Sequence, residues 1–131
     1  MKEIKTEKDI NDFLEETRAL HDGCIIDVQY KHSGIKRIDN CLHFHPDQTK
    51  LTLKIFAPSI FDAIVEIEFE NLLRWQINSK NDYLYAACVN IEPGYIVWSS
   101  EVYTSPERLE DSSYVIARSM KWRIEEKNTL L

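Results

Sequence analysis

The segment IVEIEFE, Ile64–Glu70, decides the fold. Val65, Ile67 and Phe69 alternate with Glu66, Glu68 and Glu70. A period of two is the signature of a strand with one face on a core and one in water. The same alternation recurs on both sides. LTLKIF (51–56) sets Leu51, Leu53 and Ile55 against Thr52 and Lys54, and LLRWQI (72–77) sets Leu73, Trp75 and Ile77 against Arg74 and Gln76. Farther out, CIIDVQY (24–30) places Cys24, Ile26, Val28 and Tyr30 on one predicted face. KHSGIKRIDN reads as polar and turn-rich, LHF as a short strand, and APSIFDA as a connection. YAACVNI (85–91) and YIVWSSEV (95–102) flank a Pro-Gly turn in which Gly94 takes positive φ. A polar stretch, Thr104–Ser113, leads to a last strand, YVIARSMKWRI (114–124).

The N-terminal segment has a different period. Thr6 is a good helix N-cap, and Glu7 and Asp9 lie in the first turn, where the dipole favours negative charge. Ile10, Phe13, Leu14, Thr17 and Leu20 form one apolar stripe, with Asp12, Glu15 and Glu16 outside and Gly23 as the stop. Short strands joined by short polar connections predict antiparallel pairing. The expected fold is α+β: a helix over about 6–20 packed on a strongly bent antiparallel sheet, or small β-sandwich, of about seven strands between 24 and 124. A chain of 131 residues fits a single domain, 1–131.

Composition narrows the function. The net charge is −6, a poor footprint for a nucleic-acid backbone, so no nucleic-acid partner is expected and a basic protein partner is. No apolar run approaches the length of a membrane span, and the charged N-terminus is unlike a signal peptide. Three scattered cysteines without a CxxC suit reduced thiols in the cytoplasm. There is no GxSxG and no glycine-rich phosphate loop, and no cofactor is expected.

Four features invite a functional reading. Cys41, His43 and His45 alternate, so a strand would send all three one way and Leu42 and Phe44 the other. Zinc takes such ligands, but a site needs three or four, and the rest would have to come from His21, Asp22, His32 or Asp47. In the simpler reading Leu42 and Phe44 face the core and the histidines face water. The His21-Asp22 step is met in HD phosphohydrolases, which are all-helical. Here the expectation is structural, with His21 ending the helix and Asp22 capping backbone N–H groups at the turn. Glu66, Glu68 and Glu70 put three like charges on one strand face with few nearby cations, Lys54 and Arg74. They read either as cross-strand ion pairs or as a docking patch for a basic protein. Arg118 interrupts the row Tyr114, Ile116, Met120, Trp122, Ile124, which predicts a bulge or edge position there, with a carboxylate partner such as Asp22 or a concave site as the alternatives.

The order HDGCIIDVQY, EIEFENLLRW, AACVNIEPGYIVW, ARSMKW resembles a family of small bacterial proteins, a domain of unknown function with a His-Asp motif between an N-terminal helix and the first strand. The resemblance covers most of Asp22–Arg123 and implies no activity, cofactor or ligand; the aromatic usual before the His-Asp step is Leu20 here. By analogy of size and charge, some proteins of this kind neutralise toxins as immunity partners. The expectation is therefore a non-enzymatic cytoplasmic protein that acts by binding, with Glu66, Glu68 and Glu70 in its docking surface. The alternative is a metal-dependent enzyme centred on Cys41, His43 and His45.

Overall fold

The computed structural model describes residues 1–78, 83–101 and 112–125. These residues form an α+β fold. In chain order they are β1 (Lys2–Glu3), α1 (Glu7–Glu16), β2 (Cys24–His32), β3 (Ile35–Ile38), β4 (Cys41–Phe44), β5 (Thr49–Ala57), β6 (Ala63–Gln76), β7 (Cys88–Glu92), β8 (Tyr95–Ser99) and β9 (Tyr114–Glu125). The main sheet runs β2-β5-β6-β9-β8-β7, with β1 added on β9, and every pairing is antiparallel. β3 and β4 make a separate two-stranded sheet. Residues 104–111 of the polar stretch lie outside the described residues, and so does Val102 at the end of YIVWSSEV.

The IVEIEFE segment occupies the middle of β6, between β5 and β9. Leu51 stands opposite Phe69, Leu53 opposite Ile67 and Ile55 opposite Val65, and all six are buried. α1 covers this row. Thr6 caps the helix through Asp9 N–H at 3.2 Å, and the Asp9 carboxylate accepts from Thr6 N–H at 3.0 Å, a reciprocal capping box. Ile10 and Phe13 are buried, and the Phe13 ring meets Trp122 edge-on at 5.1 Å.

The helix is shorter than its apolar stripe predicts. α1 stops at Glu16, and Thr17 Oγ1 donates to Phe13 O at 2.6 Å. Arg18, Ala19 and Leu20 then take φ of 51°, 55° and 52°, and Asp22 takes 59°. Left-handed backbone costs roughly 1–2 kcal/mol per non-glycine residue. Leu20 is fully buried, and Ala87 N–H donates to Ala19 O and Leu84 N–H to Gly23 O, each at 2.7 Å, so packing and hydrogen bonds hold the turn.

Bulges and turns also change the expected strand faces. Ile25 stands opposite Ile55, but Val28 stands opposite Leu53 and Tyr30 opposite Leu51, because a bulge at Ile26 shifts the register. Ile25, Val28 and Tyr30, not Ile26, thus share the face of the buried β5 row, but only Ile25 is itself buried, and Val28 and Tyr30 are exposed. IVEIEFE and LLRWQI are one strand, broken in parity by Asn71 at φ 59° and by a register shift between Leu72 and Arg74. β9 changes parity beside it. Val115 and Ala117 face the core before Arg118, and Met120 and Trp122 face it after. Tyr114 and Ile116 pack with Val97 and Tyr95 in a second, smaller cluster. Arg118 itself is exposed and donates to Gly94 O at 2.7 Å, while Gly94 sits at φ 85°.

Candidate functional site

The outer face of β5, β6 and β9 carries the glutamate stripe. Register places Glu66 between Lys54 and Arg123, Glu68 between Thr52 and Lys121, and Glu70 between Lys50 and Ser119. Glu66 accepts from Arg123 Nε at 2.7 Å and lies 2.6 Å from its Nη2. Glu68 is held by Lys50 at 2.9 Å and Lys121 at 3.2 Å, and Glu70 by Lys121 at 3.3 Å. Burial pushes the Glu68 carboxyl up, but the hydrogen bonds and charges of Lys50 and Lys121 outweigh it and hold its pKa below the ordinary value. The Glu66 and Glu68 side chains are 12% and 14% exposed, and Glu70 is 46% exposed. The cations come from Lys50 and from Lys121 and Arg123, more than fifty residues along the chain. Lys54 pairs with Glu125 at 3.3 Å, and Arg74 instead lies over the Tyr114 ring at 5.5 Å.

Cys41 and His43 lie on β4, paired in register with Ile38 and Lys36 of β3. His45 follows the strand. Among the described residues no group of three or more His, Cys, Asp or Glu side chains is placed to hold a metal ion. Leu42 and Phe44, on the opposite face of β4, are not in the core. Leu42 is 52% and Phe44 62% exposed, and Ile35 and Ile38 are exposed as well. The reason is topological, since among the described residues β3 and β4 pair only with each other and their apolar side chains stay exposed. Asp39 and Asn40, at φ 51° and 64°, form the two-residue turn that joins them.

The foot of this hairpin is tied down. Ser33 N–H donates to Gln48 O at 2.9 Å, His45 N–H to Gly34 O at 2.8 Å, and Gly34 N–H to His32 Nδ1 at 3.1 Å. A Cβ on Gly34 would stand 2.4 Å from His45 O. The apolar residues are thus presented on an anchored element.

The His21-Asp22 step is exposed at the end of the left-handed turn. His21 Nδ1 lies 3.0 Å from Asp22 Oδ2, and the His21 ring lies 5.3 Å from that of Tyr85. Among the described residues Asp22 accepts from the Tyr83 hydroxyl at 2.9 Å and from no backbone N–H, and this bond raises the Tyr83 pKa. A cleft of about 350 Å³ lies where β9 passes from β8 to β1, with Ile4, Tyr95, Ile96, Arg118 and Met120 among its walls. Its charged rim is mixed, with Glu3, Glu70 and Glu92 beside Lys5, Arg118 and Lys121. Nothing in the sequence signals this cleft, because its walls come from both ends of the chain.

No helix among the described residues is long and apolar enough to cross a membrane. Comparison with protein-family models, curated proteins and solved structures finds no match, so function is read from geometry and sequence.

Proposed function

We propose that this chain is a non-enzymatic cytoplasmic protein that acts by binding another protein, in an immunity-like role of the kind its resemblance to small bacterial proteins suggests. The observation that carries the reading is the β3–β4 hairpin, with Ile35, Ile38, Leu42 and Phe44 all exposed on it. Several large apolar side chains on one projecting element mark an interaction site more often than scattered surface residues do. Their burial against a partner would contribute roughly 1.5–3 kcal/mol for each side chain fully covered. The net charge of −6 favours encounter with a basic partner. In the stripe, Glu70 is open enough to meet that partner, while Glu66 and Glu68 are engaged with neighbouring cations. The same reading takes the main sheet as strongly bent. The Cys24–Tyr83 bridge and the Leu84–Gly23 hydrogen bond support this, because they tie the segment leading into β7, one end of the sheet, to the start of β2, the other end.

The test is capture of the partner from the native host with the wild-type chain and with a Leu42→Ser/Phe44→Ser variant. The variant is expected to keep its far-UV circular dichroism and denaturation midpoint, since neither side chain is in the core. It is expected to lose at least about tenfold in affinity, the equivalent of roughly 1.4 kcal/mol. Equal affinity in a folded variant would remove the hairpin from the binding surface.

A further inference from the structure

β2 is an outer strand of the main sheet. Among the described residues it pairs with β5 along one edge, and its other edge carries a single bridge, Cys24–Tyr83. A strand edge of this length is a template for another strand unless it is blunted. The bulge at Ile26 blunts its start, but Asp27 to His32 run in unbroken register with β5. Along that run Val28 and Tyr30 are exposed, and Tyr30 stacks on exposed Trp75 at 5.7 Å. The charges are equally uneven. Lys31 stands directly opposite Lys50, a like-charge pair, and Lys50 turns to Glu68. Among the described residues Lys31 has no carboxylate partner.

We propose that this edge is where a second copy of the chain pairs, β2 against β2 in antiparallel register, with the two-fold axis at Gln29. In that register Asp27 of each copy faces Lys31 of the other, twice over, and Val28 faces Tyr30. Paired residues share a face, so the apolar row Val28, Tyr30, Trp75 becomes continuous across the axis and Lys31 gains the carboxylate its own sheet lacks. Five paired positions make a small interface, so the association is weak and concentration-dependent. It is independent of the hairpin reading above, since it uses neither β3 nor β4.

Sedimentation velocity on the full chain tests it, from dilute solution to about 1 mM, the range in which weak dimers populate. Wild type should show a reversible dimer. Asp27→Lys and Lys31→Asp, each alone, turn both cross-axis pairs repulsive and should weaken the dimer at least about tenfold. An equimolar mixture of the two single variants should restore it, because every 27–31 pair is then opposite in charge. As a second measurement, Gln29→Cys in a Cys41→Ser background should form a disulfide-linked dimer on mild oxidation, because directly opposed residues have Cα atoms about 4.5–5.5 Å apart. That arm carries the test should a charge variant fail to fold. A wild type that stays monomeric, single variants that dimerise as wild type does, or a Gln29→Cys chain that does not link would each overturn the proposal.

Discussion

Gly34 fixes the foot of the β3–β4 hairpin because no side chain fits there. A Cβ would meet His45 O at 2.4 Å and His45 Cβ at 2.9 Å, both far inside contact distance. Gly34→Ala must push the two chains apart, and overpacking of this kind costs about 1–3 kcal/mol. The expected outcome is a lowered denaturation midpoint, with His45 N–H exchanging faster with solvent. An unchanged midpoint would show that the foot yields freely. Glu68 makes a second residue-scale prediction. Its carboxyl pKa is held below the ordinary 4.5 in the folded chain. A depressed folded pKa gives stability that is present above the unfolded value and lost as pH falls through the folded one. Stability should therefore decline on acidification below about pH 4.5, and the decline should be shallower in Glu68→Gln. Acid denaturation of the two proteins, followed by tryptophan fluorescence, checks this, and parallel curves would contradict it.

At the scale of elements, α1 is the lid of the core. Phe13 is fully buried against Trp122, so Phe13→Ala should cost about 3–5 kcal/mol in chemical denaturation, a large share of a typical ~5–15 kcal/mol total. A loss under about 1 kcal/mol would mean that α1 is not docked. α1 and β6 were legible in the sequence because their signals are local, a capping residue with acidic first turn in one and strict alternation in the other. The hairpin was not legible, although Asp39-Asn40 is a two-residue turn signal, because apolar residues in a strand are expected to have a core to face. The cations that balance Glu66 and Glu68 were missed for a different reason. Lys121 and Arg123 reach β6 only through the pairing of β9, which sequence proximity does not show. The bulges at Ile26 and Leu73 exchange strand faces without any residue pattern that announces them. The left-handed turn at Arg18–Leu20 is invisible for the same reason, since non-glycine residues adopt it only where packing imposes it.

For the whole molecule, the proposed binding role would divide the work between charge and apolar surface. A net charge of −6 acts at long range, and its effect on encounter with a basic partner should weaken as ionic strength rises past a Debye length of about 10 Å at 0.1 M salt. The hairpin acts at contact, and its contribution should persist at high salt because apolar burial is not screened. The association rate should therefore fall with salt in wild type and in Leu42→Ser/Phe44→Ser alike, while the dissociation rate should rise only in the variant. The most direct measurement is hydrogen–deuterium exchange of the chain alone and in complex with its captured partner. Slowed exchange over Ile35–Phe44 on binding is the predicted result. Protection confined to Ala63–Glu70 and Lys121–Glu125, with the hairpin unchanged, would contradict it and return the docking surface to the glutamate stripe.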